Sequence, residues 1–264
     1  MLATVAQFAA DTDKAANLDR ASGLIATAAS QGSDLVVLPE NAMYANPDRA
    51  ARIVDRTEPI DGPFASAIAA IAKEHSIAVV AGMTETPTEG SDRARNTVIA
   101  VDSTGERLGV YRKVHLYDAF GYRESDRIEP QPAKALTFTL HDLTFGVMTC
   151  YDLRFPEMAR FLVDAGADAL IVPAAWVVGP AKEDHWTTLL RARAIENTVY
   201  VLGAGQTGPI SAGHSVIVDP MGHPVASAGE IPGVASAVLD AARLRDVRVT
   251  NPSLENRRFT VSIG

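Results

Sequence analysis

The sequence contains very little cysteine and no long uninterrupted hydrophobic segment. Only one of its 264 residues is cysteine, so an intrachain disulfide is excluded and a reducing compartment, the cytoplasm, is expected. The longest run without Asp, Glu, Lys or Arg, residues 197–218, is interrupted by four glycines and one proline, which argues against a membrane-spanning helix. Residues 1–10 have no Lys or Arg ahead of their apolar positions, which is typical of a strand and not of a signal peptide. We therefore expect no membrane partner.

Positive charge is also scarce. Lys and Arg number 24 against 32 Asp and Glu, which gives a formal net charge of −8. The densest basic cluster, Arg243, Arg245 and Arg248, is interleaved with Asp240 and Asp246 and reads as a solvated helix face. Binding to phosphate backbones needs clustered Lys and Arg, so we expect no nucleic-acid partner.

Apolar residues are abundant and follow an alternating order of strands and helices. They make up 47% of the chain, enough for a sizeable core. Near-continuous apolar strands, such as residues 34–39 and 169–173, alternate with helical patterns, such as residues 14–30. This order predicts one mixed α/β domain over residues 1–264, with a C-terminal arm from about 243 to 264.

The single cysteine, Cys150, lies at the end of a predicted strand, residues 143–149. Apolar positions at helical spacing follow it at once, among them Met158 and Leu162. A strand, a sharp turn and a helix expose a nucleophile, and the positive end of the helix dipole would favour the thiolate form of a nearby cysteine. The alternative is an inert cysteine that fills the core.

Two ionisable residues also lie at the ends of predicted strands. Glu40 follows the apolar stretch 34–39 within Leu-Pro-Glu-Asn, and Lys113 ends the strand 109–113 within Tyr-Arg-Lys-Val-His-Leu. Active sites of α/β sheets lie at such strand ends. Each residue by itself would more often be an ordinary surface charge.

Three motifs occur together, in order along the chain. Residues 150–157, Cys-Tyr-Asp-Leu-Arg-Phe-Pro-Glu, resemble the nucleophile motif of the nitrilase (carbon–nitrogen hydrolase) superfamily, in the form found in its omega-amidase and deaminated glutathione amidase branch. The segments around Glu40 and Lys113 resemble the two motifs that precede it. The resemblance covers residues 2 to about 239. It implies a four-layer α-β-β-α sandwich of two mixed sheets.

The resemblance also implies catalytic roles. Cys150 would be the nucleophile, Glu40 the general base, and Lys113 together with the backbone N–H of Tyr151 the groups that stabilise the oxyanion. His115, near the lysine, is interpreted as structural support for the Lys113 strand.

A second active-site carboxylate is expected in the charged loop 117–134. Glu124, within Phe-Gly-Tyr-Arg-Glu-Ser, matches the additional glutamate of the family. Glu129 is its nearest competitor in the same loop. Long loops in compact domains are often functional, and loops 41–62 and 176–184 are likewise expected to set substrate choice.

Candidate substrate-binding residues are Arg154, Trp176 and Tyr151. A guanidinium four residues after the nucleophile could hold a substrate carboxylate in a bidentate pair, and the alternative is an ion pair with Glu157. Trp176 follows a predicted strand, where it lines the pocket or packs in the core. These residues favour a small substrate that bears a carboxylate.

The motifs predict a hydrolase that cleaves a non-peptide C–N bond of a small linear amide through a cysteine thioester and releases ammonia. A nitrilase or an N-carbamoyl amino acid amidohydrolase on the same scaffold is the alternative, although those branches usually have Trp-Glu or Asn-Asp where this chain has Tyr151 and Asp152. A catalytically silent binding or scaffold protein is the alternative of another class. The resemblance implies a homodimer or larger homo-oligomer.

Two features were considered as signs of a cofactor site, and the residues around them support neither. Residues 203–208 match GxGxxG after a strand, but Pro209 and Gly213 follow where a dinucleotide site needs a helix. The six histidines are scattered and offer no metal-ligand spacing. We therefore expect neither a metal nor any other cofactor.

Overall fold

The computed structural model describes residues 1–48 and 50–263. Within these residues, the strands are β1 (Leu2–Gln7), β2 (Leu35–Val37), β3 (Ala78–Glu85), β4 (Arg95–Val101), β5 (Arg107–Arg112), β6 (Asp118–Ala119), β7 (Tyr122–Arg123), β8 (Thr137–Leu140), β9 (Leu143–Val147), β10 (Ala169–Ala174), β11 (Tyr200–Gly205), β12 (Val216–Val218), β13 (Pro224–Ser227) and β14 (Gly233–Val238). The α-helices are α1 (Lys14–Ser30), α2 (Pro63–His75), α3 (Pro156–Asp164), α4 (Lys182–Asn197) and α5 (Ala241–Thr250). Within the same residues, none of the helices combines the length and apolar character needed to cross a membrane.

The two large sheets share one plan, with three parallel strands in the centre and antiparallel strands at both edges. The first sheet has the order β14-β1-β2-β3-β4-β5, in which β1, β2 and β3 are parallel. The second has the order β13-β12-β11-β10-β9-β8, in which β9, β10 and β11 are parallel. Parallel central strands place several strand ends at the same edge of each sheet, where a site can form.

The sheets face each other and the helices cover their outer faces. Ala3 and Val5 of β1 share one buried core with Phe145 of β9. The other face of the first sheet packs on α1 and α2, for example through Ile25 and Ile68. Helices α3 and α4 cover the second sheet. The fold is the four-layer α-β-β-α sandwich that the sequence motifs implied.

Helix α1 has the predicted bounds, and local chemistry explains them. Asp13 precedes the helix and its side chain accepts hydrogen bonds from the backbone N–H groups of Ala15 and Ala16, which satisfies two of the free donors of the first turn. The chain leaves the helix through Gly32, whose positive φ of 80° suits glycine. Capping signals of this kind can be recognised in a sequence.

The GxGxxG segment has a packing role in β11. A Cβ at Gly203 would lie 2.7 Å from Leu190 and 2.8 Å from Trp186, both on α4. A Cβ at Gly205 would lie 2.6 Å from the carbonyl oxygen of Gly213. These glycines therefore allow the close approach of a helix and a neighbouring chain segment, and no helix begins after them.

The chain after Cys150 differs from the prediction. Residues 150–154, hereafter the cysteine turn, form a 3-10 turn, and α3 begins only at Pro156. Proline fits the first turn of a helix because the N–H it lacks would be unpaired there. Cys150 itself has a positive φ of 48°, a strained value for a residue with a side chain.

The charged loop after Lys113 contains structure that the sequence did not predict. Strands β6 and β7 form a short hairpin whose tip, Phe120 and Gly121, has φ values of 55° and 76°. Such tips usually contain Asn-Gly or Asp-Gly, so the phenylalanine concealed the turn. Strand β13 was also missed, because it is short, largely exposed and begins with proline.

Candidate active site

The predicted site residues converge on one cavity between the two sheets. Glu40 lies just beyond the carboxyl end of β2, Lys113 directly after β5, and Cys150 just beyond β9. All three line a cavity of about 840 Å³, together with Glu124. The shared plan of the two sheets brings residues that are distant in the sequence to one place.

Glu40, Lys113 and Glu124 form a buried charge cluster. The Lys113 Nζ lies 2.9 Å from the Oε1 atom of Glu40 and 2.9 Å from the Oε2 atom of Glu124. The exposed fractions of the three residues are 2%, 2% and 7%. One ammonium group therefore bridges two carboxylates in a space that is almost free of solvent.

Asn96 of β4 bridges the same two carboxylates from another direction. Its Nδ2 donates to the Oε1 atom of Glu40 at 2.7 Å and to the Oε1 atom of Glu124 at 3.2 Å. The backbone N–H of Ala175 donates to the second oxygen of Glu40 at 2.7 Å, and that of Tyr117 to the second oxygen of Glu124 at 2.7 Å. Both carboxyl groups thus accept hydrogen bonds on each of their two oxygens.

The surroundings set the charge state of Glu40 and Lys113. Burial opposes ionisation of the Glu40 carboxyl, but the Lys113 ammonium and the hydrogen bonds outweigh this effect and lower the pKa of Glu40 below its usual value. Burial also opposes the charge of Lys113, but Glu124 and Glu40 raise its pKa well above the usual value. Both groups are charged at neutral pH.

The pKa of the Cys150 thiol is raised, whereas the sequence led us to expect a lowered pKa and a thiolate. Burial and the neighbouring Glu40 carboxylate raise the pKa of Cys150 well above its usual value. Lys113 opposes this shift but does not overcome it. The expectation of a thiolate stabilised by a helix dipole is therefore wrong, since α3 begins six residues later and a carboxylate lies beside the sulfur. At rest the thiol keeps its proton beside an ionised carboxylate.

A third buried carboxylate, Asp152, holds the cysteine turn in place. Its Oδ1 accepts hydrogen bonds from the backbone N–H and Nδ1 of His115 at 3.0 and 2.7 Å. Its Oδ2 accepts from the Oη of Tyr111 at 2.5 Å and from the backbone N–H of Thr149 at 2.8 Å. Because Tyr111 and His115 flank Lys113 in the chain, Asp152 ties the lysine segment to the cysteine turn, and His115 supports that segment as predicted.

The second predicted carboxylate position is occupied by Glu124 and not by Glu129. Glu129 accepts hydrogen bonds from the backbone N–H and Oγ1 of Thr88 at 2.9 and 2.6 Å and lies 3.7 Å from Arg95. These partners lie away from the cavity. Which of the two glutamates contacts Lys113 depends on how the loop folds, and the local sequence does not determine that.

Arg154 faces the cavity among aromatic rings. Its guanidinium carbon lies 4.8 Å from the ring centroid of Trp176, 5.5 Å from that of Phe120 and 6.0 Å from that of Tyr151. Among the described residues it has no carboxylate partner, so the alternative of a pair with Glu157 is wrong. Its Nε is buried without a hydrogen-bond partner in that part of the chain.

Lys182, the first residue of α4, lies on the same aromatic surface. The Nζ donates to the Oη of Tyr117 at 2.8 Å and lies 4.6 Å from the ring centroid of Phe120 and 5.5 Å from that of Trp176. Although only 5% of its surface is exposed, it has no carboxylate partner in the described chain. Arg154 and Lys182 are hereafter called the cation pair.

Trp176 belongs both to the cavity wall and to the core. It is 3% exposed, its Nε1 donates to the backbone carbonyl of Lys182 at 2.6 Å, and its ring lies 5.4 Å from that of Trp186. Tyr151 also lines the cavity, and its ring makes an edge contact with Tyr117 at 5.1 Å. The two interpretations of Trp176 are therefore both correct.

Within the described residues, no group of three or more His, Cys, Asp or Glu side chains is arranged to hold a metal ion. The functional groups of the cavity are a thiol, carboxylates, an ammonium group and an amide. This set suits nucleophilic and acid–base chemistry by side chains.

The comparison with known proteins agrees with the fold and the motifs. The model of the carbon-nitrogen hydrolase family matches residues 2–249, and the chain belongs to that family. It is 38% identical over 260 residues to the deaminated glutathione amidase of Escherichia coli O157:H7, with 98% of each chain covered. It is 33% identical over 270 residues to the omega-amidase NIT2-A of Xenopus laevis, covering 97% of this chain and 94% of the relative. The chain is thus an amidase-type carbon–nitrogen hydrolase.

Solved structures place the fold in the nitrilase superfamily. Nit3 of Saccharomyces cerevisiae, a member of branch 10 of that superfamily, superposes with a TM-score of 0.86 at 30% identity and covers 98% of this chain and 97% of its own. An amidase from Nesterenkonia sp. superposes with a TM-score of 0.81 at 29% identity, covering 95% of this chain and 94% of its own.

Sequence reasoning missed three residues that line or support the cavity: Asn96, Asp152 and Lys182. Asn96 lies between Arg95 and Thr97 in the polar first part of β4, so its sequence context did not set it apart. Lys182 lies within loop 176–184, which was expected to affect substrate choice, but a lysine at a helix start usually reaches solvent. Asp152 was considered only as a mark of the family branch.

Proposed function

We propose that this protein hydrolyses a small linear amide that bears a carboxylate, through a thioester on Cys150, and releases ammonia. The observation that carries the proposal is the buried charge cluster beside the only cysteine of the chain. A thiol next to an ionised, buried carboxylate is an arrangement for transferring a proton as the sulfur attacks.

In the first half of the reaction, Glu40 accepts the proton of Cys150 while the sulfur bonds to the amide carbon. The carbonyl oxygen gains the negative charge, which the Lys113 ammonium and the backbone N–H of Tyr151 stabilise. Each such donor contributes about 3 kcal/mol to the transition state in comparable enzymes. Glu40 then gives its proton to the nitrogen, the C–N bond breaks and a thioester remains.

In the second half, Glu40 takes a proton from a water molecule that attacks the thioester carbon. The C–S bond breaks, the sulfur recovers the proton from Glu40, and the acid product leaves. Glu124 keeps Lys113 charged and positioned throughout. Because two carboxylates and one ammonium group are in contact, their protonation steps belong to the cluster as a whole.

Arg154, Trp176 and Tyr151 would bind the acyl end of the substrate. The guanidinium has no carboxylate partner in the described chain, so a substrate carboxylate could supply one in a bidentate pair. The Trp176 and Tyr151 rings would contact the carbon chain of the same acyl group.

A second candidate substrate class is an N-substituted amide, which would release an amine instead of ammonia. The cavity of about 840 Å³ has the size of sites for drug-sized ligands, and it extends to Arg20 and Leu24 of α1. Several relatives are named deaminated glutathione amidase. The acyl chemistry would be the same for both classes.

We also propose that the chain acts as a homodimer or larger homo-oligomer. Apolar side chains near its end are open to solvent, among them Val249 at 81% and Phe259 at 89% exposure. Sedimentation equilibrium at micromolar concentration would detect the assembly, and a monomer under those conditions would contradict it.

The test is ammonia release from a panel of amides by the purified protein, with Cys150→Ala as the control. The panel contains 2-oxoglutaramate, 2-oxosuccinamate, deaminated glutathione, short aliphatic amides, an N-carbamoyl amino acid and a nitrile. Amine release from deaminated glutathione is measured separately. We expect turnover of a carboxylate-bearing amide that disappears in the variant. Turnover of the nitrile or the carbamoyl compound alone would contradict the assignment of an amide substrate. If no compound of the panel were hydrolysed, the scaffold interpretation would be favoured.

A further inference from the structure

Lys182 is an unusual lysine because it is buried and the protein supplies it with no counter-charge. Burying an ammonium group is unfavourable unless it is paired, and here the partners are a phenol oxygen and aromatic faces. The acidic residues that follow it on α4, Glu183 and Asp184, make no ion pair with it in the described structure. The described chain therefore pairs the Lys182 ammonium with a phenol oxygen and aromatic rings and with no carboxylate.

The side chain is held in position by contacts at both ends. The backbone N–H of Lys182 donates to the carbonyl of Gly179 at 2.9 Å, and its own carbonyl accepts from the Nε1 of Trp176 at 2.6 Å. The Nζ is fixed by the Oη of Tyr117. A lysine restrained in this way presents its remaining N–H groups in defined directions.

Lys182 and Arg154 face the same place. Both cations lie within 5.5 Å of the ring centroids of Phe120 and Trp176. Both residues line the cavity that contains Cys150. A ligand group large enough to reach Arg154 along this aromatic surface therefore also meets Lys182.

We propose that Lys182 is a specificity-determining residue, which makes the acyl site accept an uncharged hydrogen-bond acceptor beside the substrate carboxylate and reject an ammonium group there. The proposal rests on the proposed function and adds the residue that selects among its substrates. Amides of 2-oxo acids, and to a lesser degree of 2-hydroxy acids, fit this description. Amides of 2-amino acids do not.

The discrimination follows from the chemistry of the ammonium group. It has three N–H donors and no acceptor, and one donor is already used by Tyr117. A ketone or hydroxyl oxygen accepts one of the others. A substrate ammonium would face two cations that line the same cavity, where like charges repel, and its own donors would find no acceptor on Lys182 or Arg154.

The experiment compares Lys182→Met with the wild type on matched amides: 2-oxoglutaramate, L-glutamine and glutaramate, which has no substituent beside the carboxylate. We expect the kcat/KM for 2-oxoglutaramate to fall about tenfold or more, mainly through KM, with glutaramate affected least. The preference for 2-oxoglutaramate over glutamine should shrink by about the same factor. Lys182→Arg should restore part of it, because the charge returns.

Two controls make the result specific. Lys73→Met removes an exposed lysine of α2 and should change none of these ratios. An unchanged ratio in Lys182→Met, with the amides still hydrolysed, overturns the role of Lys182 but leaves the proposed function intact. A wild type that prefers glutamine also overturns it.

Binding provides a test that does not need turnover. Calorimetric titration of Cys150→Ala with 2-oxoglutarate and with L-glutamate should give tighter binding of 2-oxoglutarate, and adding Lys182→Met should weaken that binding about tenfold or more. Equal affinities for the two acids overturn the proposal even if no amide is hydrolysed. This outcome is distinct from failure of the proposed function, which concerns the reaction at Cys150.

Discussion

Two groups of charged side chains line the same cavity, and they differ in whether the described residues supply the counter-charge. In the buried charge cluster, Lys113 contacts two carboxylates, which also accept hydrogen bonds from Asn96. In the cation pair, Arg154 and Lys182 rest on aromatic faces with no carboxylate in contact among the described residues.

The difference teaches how one cavity can contain both chemistry and recognition. A compensated cluster has defined protonation states before any substrate arrives, which a general base requires. On the proposed function, an anionic acyl group would supply the counter-charge that the cation pair lacks among the described residues. The aromatic faces stabilise the two cations in the protein without a ligand, because cation–π contacts replace part of the hydration that the cations lose.

The largest loss of activity is expected when the general base, Glu40, is removed from the buried charge cluster. Glu40→Gln should lower kcat about 10²- to 10⁴-fold, because no group then accepts the Cys150 proton. The same change removes the carboxylate that raises the thiol pKa, so the pKa of Cys150 should fall. The pH dependence of alkylation by iodoacetamide measures this.

The exposed Glu157→Gln is the matched control for that variant, because it lies in the same motif and should change neither quantity. If alkylation of Glu40→Gln kept the wild-type midpoint or moved to higher pH, the assigned contact between Glu40 and the thiol would be wrong. The acid limb of wild-type kcat should lie below the usual range for glutamate, because the pKa of Glu40 is lowered and activity is lost only as the pH falls through it.

Removal of Lys113 tests whether its positive charge stabilises the two carboxylates that it contacts. Lys113→Met leaves two buried carboxylates without a counter-charge and should lower the free energy of unfolding at pH 7 by about 3–5 kcal/mol. The loss should diminish below the ordinary pKa range of glutamate, since protonation then neutralises the carboxyls. Urea denaturation at several pH values measures it, with the exposed Lys134→Met as control. A loss that is independent of pH would contradict the electrostatic explanation.

The framework between the lysine segment and the cysteine turn can be weakened separately. Asp152→Asn should cost about 1–3 kcal/mol of stability, because four hydrogen-bond donors converge on the carboxylate and an amide cannot accept from all of them. We expect kcat to fall more than KM rises. The exposed Asp142→Asn serves as control, and an unchanged kcat would show that the turn holds its position without this network.

The smallest effect is expected at the aromatic side of the cation pair. Phe120 is 65% exposed and lies over both cations, so Phe120→Ala should cost about 0.5–1 kcal/mol of substrate affinity and raise KM a few-fold. Steady-state kinetics measures this, and Phe259→Ala, at an exposed position near the chain end, is the control. A fall in kcat with constant KM would instead assign Phe120 to the chemical step.

Local patterns explain why part of the architecture could be predicted. The bounds of α1 follow from an aspartate cap, a repeating apolar face and a glycine exit. Strands β2 and β10 are continuous apolar runs, and the three motifs identify where Glu40, Lys113 and Cys150 lie along the chain. These features depend on residues that are neighbours in the sequence.

The sequence by itself therefore determined the fold class, the family and the positions of the candidate site residues along the chain. Only the tertiary structure decided which side chains surround each of them, because charge states depend on neighbours from distant segments. The pairing of β1 with β14, the choice of Glu124 over Glu129 and the meeting of Lys182 with Arg154 are all of this kind. The same reason explains the protonated thiol: burial and a carboxylate from the other sheet outweigh any local preference of the cysteine turn.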